Sequence, residues 1–264
     1  MSDASISARV LTETFVRTVE SFDELPSTND RAIELAGSEG HALPLLVHTT
    51  RQSAGRGRGE HRWWSETGAL TFSLLLDAGE MKLEPRHWPL VSLAAAMAVR
   101  AAAADFVPSV SVGLKWPNDV FAAGRKLCGI LVETLPSGSS GRPGRLVIGI
   151  GLNVNNSFEH APSDLRGVGV SLAELVGSPL DLQAVLVRLL AHLRTEVTAI
   201  AEDPTGLAQR WHQHCLLRGH VVSIENGISP TTGRCHGVSE DGGLMLETAE
   251  GPRRVYGGTV ASVE

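Results

Sequence analysis

"SVGLKWPNDVFAAGRKLCGILVETL", residues 111–135, decides the fold class. It reads as a short strand, an interruption at Pro117, and a hairpin through Ala122-Ala123-Gly124 into a long apolar strand from Leu127 to Leu135. Strands joined by so short a turn run antiparallel, because a parallel pair needs a crossover of about a dozen residues. Working outward, "RLVIGIGLNV" (Arg145 to Val154) follows the polar turn "SGSSGRPG" (Ser137 to Gly144) as another buried strand. Upstream, "LPLLVHTT" (Leu43 to Thr50) and "ALTFSLLL" (Ala69 to Leu76) are strands on either side of a glycine-arginine loop. The alanine-rich run His87 to Phe106 has apolar spacings of three and four and predicts a helix packed closely on the sheet. The expected class is therefore α+β: a mixed, mainly antiparallel sheet with helices packed on it.

Downstream, Asn155 to Val170 has no sustained period and reads as a long loop of the kind that often covers a site. Helices are expected from Asp181 to Ala201, with Asp181 as N-cap, and from Thr205 to His214 after Pro204. Beyond Leu217 come short strand-like runs separated by glycine turns, which predict a small β-barrel. The boundary falls near Cys215 to Leu217, giving a main domain over 1–215 and a small one over 216–264.

The 264 residues carry a formal charge of −6, which argues against a general nucleic-acid binder. Any phosphate chemistry must then be local. The three cysteines are widely spaced and show no C-x-x-C, so neither a disulfide framework nor a zinc knuckle is expected. The apolar run from Leu93 to Phe106 is broken by Arg100 and Asp105 and falls short of the roughly 18 residues that a membrane span needs. No signal peptide opens the chain, so the cytoplasm is the expected location. His212 and His214 stand two apart, where helical side chains diverge, and do not suggest a metal pair. There is no G-x-S-x-G elbow, no H-E-x-x-H and no Walker A spacing.

Five short stretches can carry chemistry. In "GRGRGEHRWW" (residues 55–64), glycines let backbone N–H groups approach an anion, and Arg56, Arg58 and Arg62 offer planar forks to phosphate or carboxylate. Trp63 or Trp64 could cover a ligand, although an exposed loop with solvated arginines fits this stretch equally. "KWPND" (residues 115–119) is a rigid bend presenting Lys115, Asn118 and Asp119, which suit a nucleotide and Mg²⁺, or simply a turn ending a strand. Lys126 opens the apolar strand and either reaches inward as a point charge or snorkels outward. In "GIGLNV", Gly149 and Gly151 thin the strand for a ligand or for close helix packing. "STND" (residues 27–30) is an N-cap that could also bind a small polar ligand at a positive helix end.

In order and spacing, STN, Q-x-A-G-R-G-R…W, K-W-P-N-D, R-K-L-x-G-I-L-x-E, G-x-G-x-N-V and a small β-barrel together resemble a biotin protein ligase from about Ser27 to Val263. The resemblance implies a catalytic domain like those of class II synthetases and biotin and lipoate ligases, followed by an SH3-like barrel. It also implies a two-step reaction: biotin and MgATP form biotinyl-5′-AMP, and the acyl group then moves to a lysine of a biotin carboxyl carrier domain. Carried over with it are Ser27, Thr28, Asn29, Gln52, Gly55, Arg56, Arg58, Lys126, Gly129 and Gly149 as biotin contacts. Arg56, Trp63, Lys115, Asn118 and Asn153 match the nucleotide side, and Asp119 the Mg²⁺ side. Lys126, Arg58, Lys115 and Asp119 are the implied catalytic set, with Lys126 bridging the biotin carboxylate and the α-phosphate. Residues 155–166 match a second loop that orders over the adenylate.

The family pattern G-R-G-R-x-G-R-x-W departs here to "GRGRGEHRW", with Glu60 and His61 where Gly and Arg stand. One fixed positive charge is lost, and a looser grip on the adenylate is expected. Residues 1–25 are too short for the winged helix of ligases that double as repressors, so no operator binding is expected. A homodimer is compatible with the sequence. A lipoate or octanoyl ligase is the nearest alternative enzyme, and an RNA-binding module the alternative from another class.

Overall fold

The computed structural model describes residues 3–38, 40–136, 144–227 and 229–264; the turn expected over Ser137 to Gly144 lies almost wholly outside them. Helix α1 (Asp3–Glu13) leads into β1 (Thr18–Leu25), α2 (Thr28–Gly37), β2 (Leu45–Gln52) and β3 (Leu70–Asp77). Then come α3 (Leu90–Phe106), β4 (Val112–Lys115), β5 (Asp119–Ala122), β6 (Arg125–Leu135) and β7 (Arg145–Leu152). These seven strands form one sheet in the order β1-β2-β3-β7-β6-β5-β4, antiparallel except for the β1–β2 pair. The mixed, mainly antiparallel sheet is as expected from the hairpin at residues 111–135.

Strand side chains alternate between faces, and this sheet uses the alternation to separate core from site. Leu74 and Leu76 of β3 and Leu146 and Ile148 of β7 join α3 and α5 (Leu182–Glu202) in the main core. Leu75 and Val147 point the other way and pack with Ala32, Leu35 and Ala36 of α2. Further along that second face the parity brings up Ser73, Thr71, Gly149, Gly151 and Gly129 instead of large apolar residues. The sheet is thus sealed by α2 at one end of this face and left open at the other.

The helices begin where the caps lie. Ser27 Oγ accepts from Asp30 N at 3.3 Å, and Asp181 Oδ1 accepts from Gln183 N at 2.9 Å. The run at residues 87–106 starts later than expected, at Leu90, after a single 3₁₀ turn over Pro85–His87. Between β7 and α5 lies the short α4 (Leu172–Val176); α6 (Thr205–His212) follows α5. Neither α1 nor β1 was foreseen, and β1 adds the parallel edge.

The remaining strands are β8 (Val221–Glu225), β9 (Thr231–Val238), β10 (Leu244–Thr248), β11 (Gly251–Val255) and β12 (Thr259–Val263). They form a five-stranded antiparallel sheet in the order β11-β10-β9-β8-β12. The expected barrel is not closed among the described residues, because the two end strands, β11 and β12, share no ladder. Val222, Ile224, Cys235, Leu244 and Leu246 belong to the same buried cluster as α3 and the large sheet.

Candidate active site

The open half of the second face is the floor of a cleft. Gly129 and Gly151 are register partners on β6 and β7, and Trp63 lies across them: a Cβ on Gly151 would fall 2.2 Å from Trp63 Cε2. Next along β7, a Cβ on Gly149 would fall 2.0 Å from Asn29 Oδ1, so only glycine admits the start of α2 at this depth. Of the two readings the strand offered, Gly149 meets the close packing of a helix, while Gly151 seats an indole ring of the chain itself.

At the α2 end the lining is polar and, apart from the ion-paired Arg56, uncharged. Gln52 Oε1 accepts from Thr28 N at 2.8 Å and from Thr28 Oγ1 at 3.1 Å. Ser73 Oγ lies 2.8 Å from Thr28 Oγ1 and 2.6 Å from Asn29 Oδ1, and Asn29 Nδ2 donates to Glu133 Oε2 at 2.8 Å. Ser27, Thr28 and Asn29 are buried, so this network is set before any ligand arrives.

At the other end the charges gather. Lys126 Nζ stands 2.7 Å from Asp119 Oδ1, an ion pair between residues on adjacent strands β5 and β6. Arg58 donates to the Gly258 carbonyl at 3.3 Å, and burial lowers the pKa of its guanidinium, with Asp119 opposing the shift. Lys115 Nζ sits 5.4 Å above the Phe121 ring. Arg56 instead turns back to the α2 end, bound to both Asp30 of α2 and Glu133. The glycine-arginine stretch is itself a small hairpin, with Trp63 N donating to Gly55 O at 3.0 Å and Gly57 N to His61 O at 2.8 Å. Glu60 and His61 are exposed at its outer part, and His61 and Arg62 also line the cleft.

Ser27, Thr28, Asn29, Gln52, Arg56, Arg58, Trp63, Lys115, Asn118, Asp119, Lys126, Gly129 and Gly149 all line the cleft. Two expected residues do not. Gly55 closes the hairpin behind the wall, where a Cβ would meet Trp63 O at 2.4 Å. Asn153 is buried beneath Lys126, donating to its carbonyl at 3.3 Å and accepting from Asn156 at 3.1 Å. Asn118 lines the cleft, yet its amide is spent on Ile130 O at 2.6 Å. Sequence reasoning missed Ser73 and Glu133, although each shares strand parity with a site glycine. It also missed Gly258, Thr259 and Val260, which line the charged end from the second sheet. No local pattern marks those three.

Asp119 Oδ1 is buried, and its contact with Lys126 lacks hydrogen-bond geometry. A hard cation held by one carboxylate and by phosphate oxygens fits such a group. No cluster of three or more His, Cys, Asp or Glu side chains suited to a metal occurs among the described residues.

A model of the Biotin/lipoate A/B protein ligase family matches residues 21–153, from β1 to the end of β7. The chain is 30% identical over 224 residues to the biotin–[acetyl-CoA-carboxylase] ligase of Mycobacterium tuberculosis, covering 84% of this chain and 80% of that one. It is 28% identical to the bifunctional ligase/repressor BirA of Bacillus subtilis, across 97% of this chain and 77% of the relative. The solved biotin protein ligase of Aquifex aeolicus in complex with biotin and ATP superposes with a TM-score of 0.77 at 27% identity, over 94% of this chain and 99% of that one. With a family model spanning half of its length and a likeness that runs through both sheets, this chain belongs to the biotin/lipoate A/B protein ligase family.

Proposed function

We propose that the protein activates biotin with ATP and transfers it to a lysine of a biotin carboxyl carrier domain. The observation that carries this is the polarity of the cleft: hydrogen-bonding groups at one end, where Arg56 is neutralised by Asp30 and Glu133, and Lys126, Arg58, Lys115 and Asp119 at the other. A ureido ring offers two N–H donors and a carbonyl, which Ser27, Thr28 and Gln52 can satisfy. The dithiolane of lipoate offers none and would gain no hydrogen bond from those groups, which disfavours the lipoate reading.

The acid chain then leads its carboxylate toward the charged end. There an oxygen of the carboxylate attacks the α-phosphorus of ATP, a P–O bond to pyrophosphate breaks, and biotinyl-5′-AMP forms. Lys126 offsets the charge that gathers between carboxylate and phosphate, and Arg58 adds a second cation in the same partly buried place. Asn153 acts through Lys126, by holding its carbonyl. Trp63 covers the nucleotide side, with Arg56, Lys115 and Asn118 around it. Asp119 is the residue that would hold Mg²⁺, which neutralises phosphate charge when bound. In the second step the carrier amine attacks the acyl carbon and AMP leaves with the bonding pair. Solvent screens the exposed Glu60-His61 tip, so the missing arginine loosens the adenylate only modestly.

The proposal assigns activation chemistry to residues 1–215 and closure of the charged end to residues 216–264. The partner is a carboxylase carrier domain. Neither DNA nor a membrane enters the reaction, one protomer holds every group used, and the cytoplasm supplies both substrates. No helix among the described residues is long and apolar enough to cross a membrane.

The test incubates the protein with MgATP, an apo-carrier domain and either biotin or lipoate. The mass of the biotinyl group should appear on the carrier, and Lys126→Ala should lower biotinyl-AMP formation by about 10²-fold or more, as removal of a charge-stabilising group does elsewhere. Transfer of lipoate in preference to biotin would overturn the proposal.

A further inference from the structure

Two loops that belong to different parts of the chain meet behind Lys126. Residue Trp64, at the end of the glycine-arginine hairpin, faces Phe158 with ring centroids 5.5 Å apart and planes tilted by 42°. Phe158 in turn lies on Gly169, where a Cβ would fall 2.1 Å from Phe158 Cζ. Gly169 is bridged to Lys126 itself: Lys126 N donates to Val168 O at 2.8 Å, and Val170 N donates to Lys126 O at 3.0 Å. The two loops are also stitched directly, with Asn155 N donating to Gly68 O at 2.8 Å.

We infer that Phe158 is a positioning residue: through Gly169 it holds the backbone of Lys126, and through Trp64 it ties that backbone to the glycine-arginine hairpin over the cleft. The inference rests on the proposed biotin activation for its effect on rate, but not for its effect on the backbone.

The chemistry favours such a device. A lysine side chain has four rotatable bonds, so the place of its ammonium is only as definite as the backbone it springs from. Lys126 begins close to a turn, at the second residue of β6, and its β5 pairing is irregular, with a register shift between Val120 and Phe121 opposite it. The bridge to Val168 and Val170 supplies the hydrogen bonds that this irregular start of the strand lacks. Gly169 must be glycine for Phe158 to lie against that bridge at all. Phe158 is only half-buried and outside the cleft lining, so its removal should leave the fold intact.

Two measurements on the intact chain test this. Amide hydrogen exchange should show the Lys126 and Val170 N–H groups of Phe158→Ala exchanging about tenfold faster than in the parent, with the β6–β7 ladder at Leu131 and Gly149 unchanged. Single-turnover formation of biotinyl-AMP should slow about tenfold with the biotin KM within about twofold, and Phe158→Leu should restore most of the rate. In a Lys126→Ala background, Phe158→Ala should cost nothing further, because there is no ammonium left to misplace. Unchanged exchange at both amides, or rate losses that multiply in the double variant, would overturn the inference. If the parent makes no biotinyl-AMP, the functional proposal fails, and the exchange data still decide whether Phe158 holds the Lys126 backbone.

Discussion

A methyl group on Gly151 would press 2.2 Å from the Trp63 ring, and neither side can give way easily: one is sheet backbone, the other an indole whose N–H is already buried without a partner. Gly151→Ala should therefore lift Trp63 from the floor. Overpacking of this kind costs about 1–3 kcal/mol, and the ring would leave rather than the strand bend. The expected outcome is a red-shifted tryptophan emission and an ATP KM raised about tenfold, with biotin binding close to normal, since Thr28 and Gln52 are untouched. Unaltered emission and ATP KM would mean that Trp63 is not seated on this glycine in solution. The thinness of "GIGLNV" was legible from the sequence, as were Lys126, Asp119 and the polar start of α2. What lay on the glycines was not legible, because Asn29 and Trp63 reach them from distant segments. Asn153 shows the converse: its match to the family's nucleotide side suggested a ligand contact, and its amide faces the underside of Lys126 instead.

Helices α3 and α5 carry the sheet from behind, and most of their joint is apolar. One polar tie closes it at the surface: Arg188 Nε donates to Asp105 Oδ2 at 2.6 Å, and His192 Nε2 lies 2.9 Å from the same oxygen. The hydrogen bond with His192, then that from Arg188, holds the Asp105 carboxyl below its ordinary value. A carboxylate whose folded pKa is depressed adds stability above its unfolded pKa and loses it as pH falls through the folded one. The site is largely solvated, so Asp105→Asn should cost only about 0.5 kcal/mol at neutral pH, a shift in Tm of about 1–2 °C. That difference should fade as pH drops through the depressed folded value, once the parent carboxyl is protonated too; a gap that persists at the acid end would assign the loss to packing. Asp105 was visible beforehand only as a break in an apolar run. Other elements were legible in proportion to how completely their sides differ: β3 and β7 are buried throughout, and α5 has a cap and an apolar stripe. By contrast β1 is half-exposed along its length and shows no alternation, which is why its parallel pairing with β2 escaped sequence reasoning.

The sequence suggests two units with a boundary near residue 215, while the packing joins them. Leu114 N donates to His214 O at 2.8 Å and Leu216 N to Leu114 O at 2.9 Å, so the chain leaving α6 pairs with β4, the edge strand of the large sheet. Trp116 Nε1 donates to Gly242 O at 3.2 Å, and Arg58 reaches Gly258 at the mouth of the cleft. Glycine turns and short strands mark the second unit, but periodicity reports only which face of a strand is buried, never against what. A continuous core predicts that the two sheets unfold together, and the chain supplies its own reporter. All five tryptophans lie upstream of residue 215, so their fluorescence follows the large unit, with Trp116 also touching the second through its bond to Gly242. Leu246 is buried in the second sheet, and Leu246→Ala should destabilise by about 2–5 kcal/mol through the cavity it leaves. If the core is one cooperative body, the denaturant midpoint seen by the tryptophans moves by that full amount with an unchanged slope. If the second sheet is a module of its own, the tryptophan transition stays where it was while amide exchange in β9 and β10 accelerates. The first outcome is expected, and it bears on the site as well: Gly258, Thr259 and Val260 can wall the charged end of the cleft reproducibly only if the sheet that carries them is held as firmly as the sheet that carries Lys126.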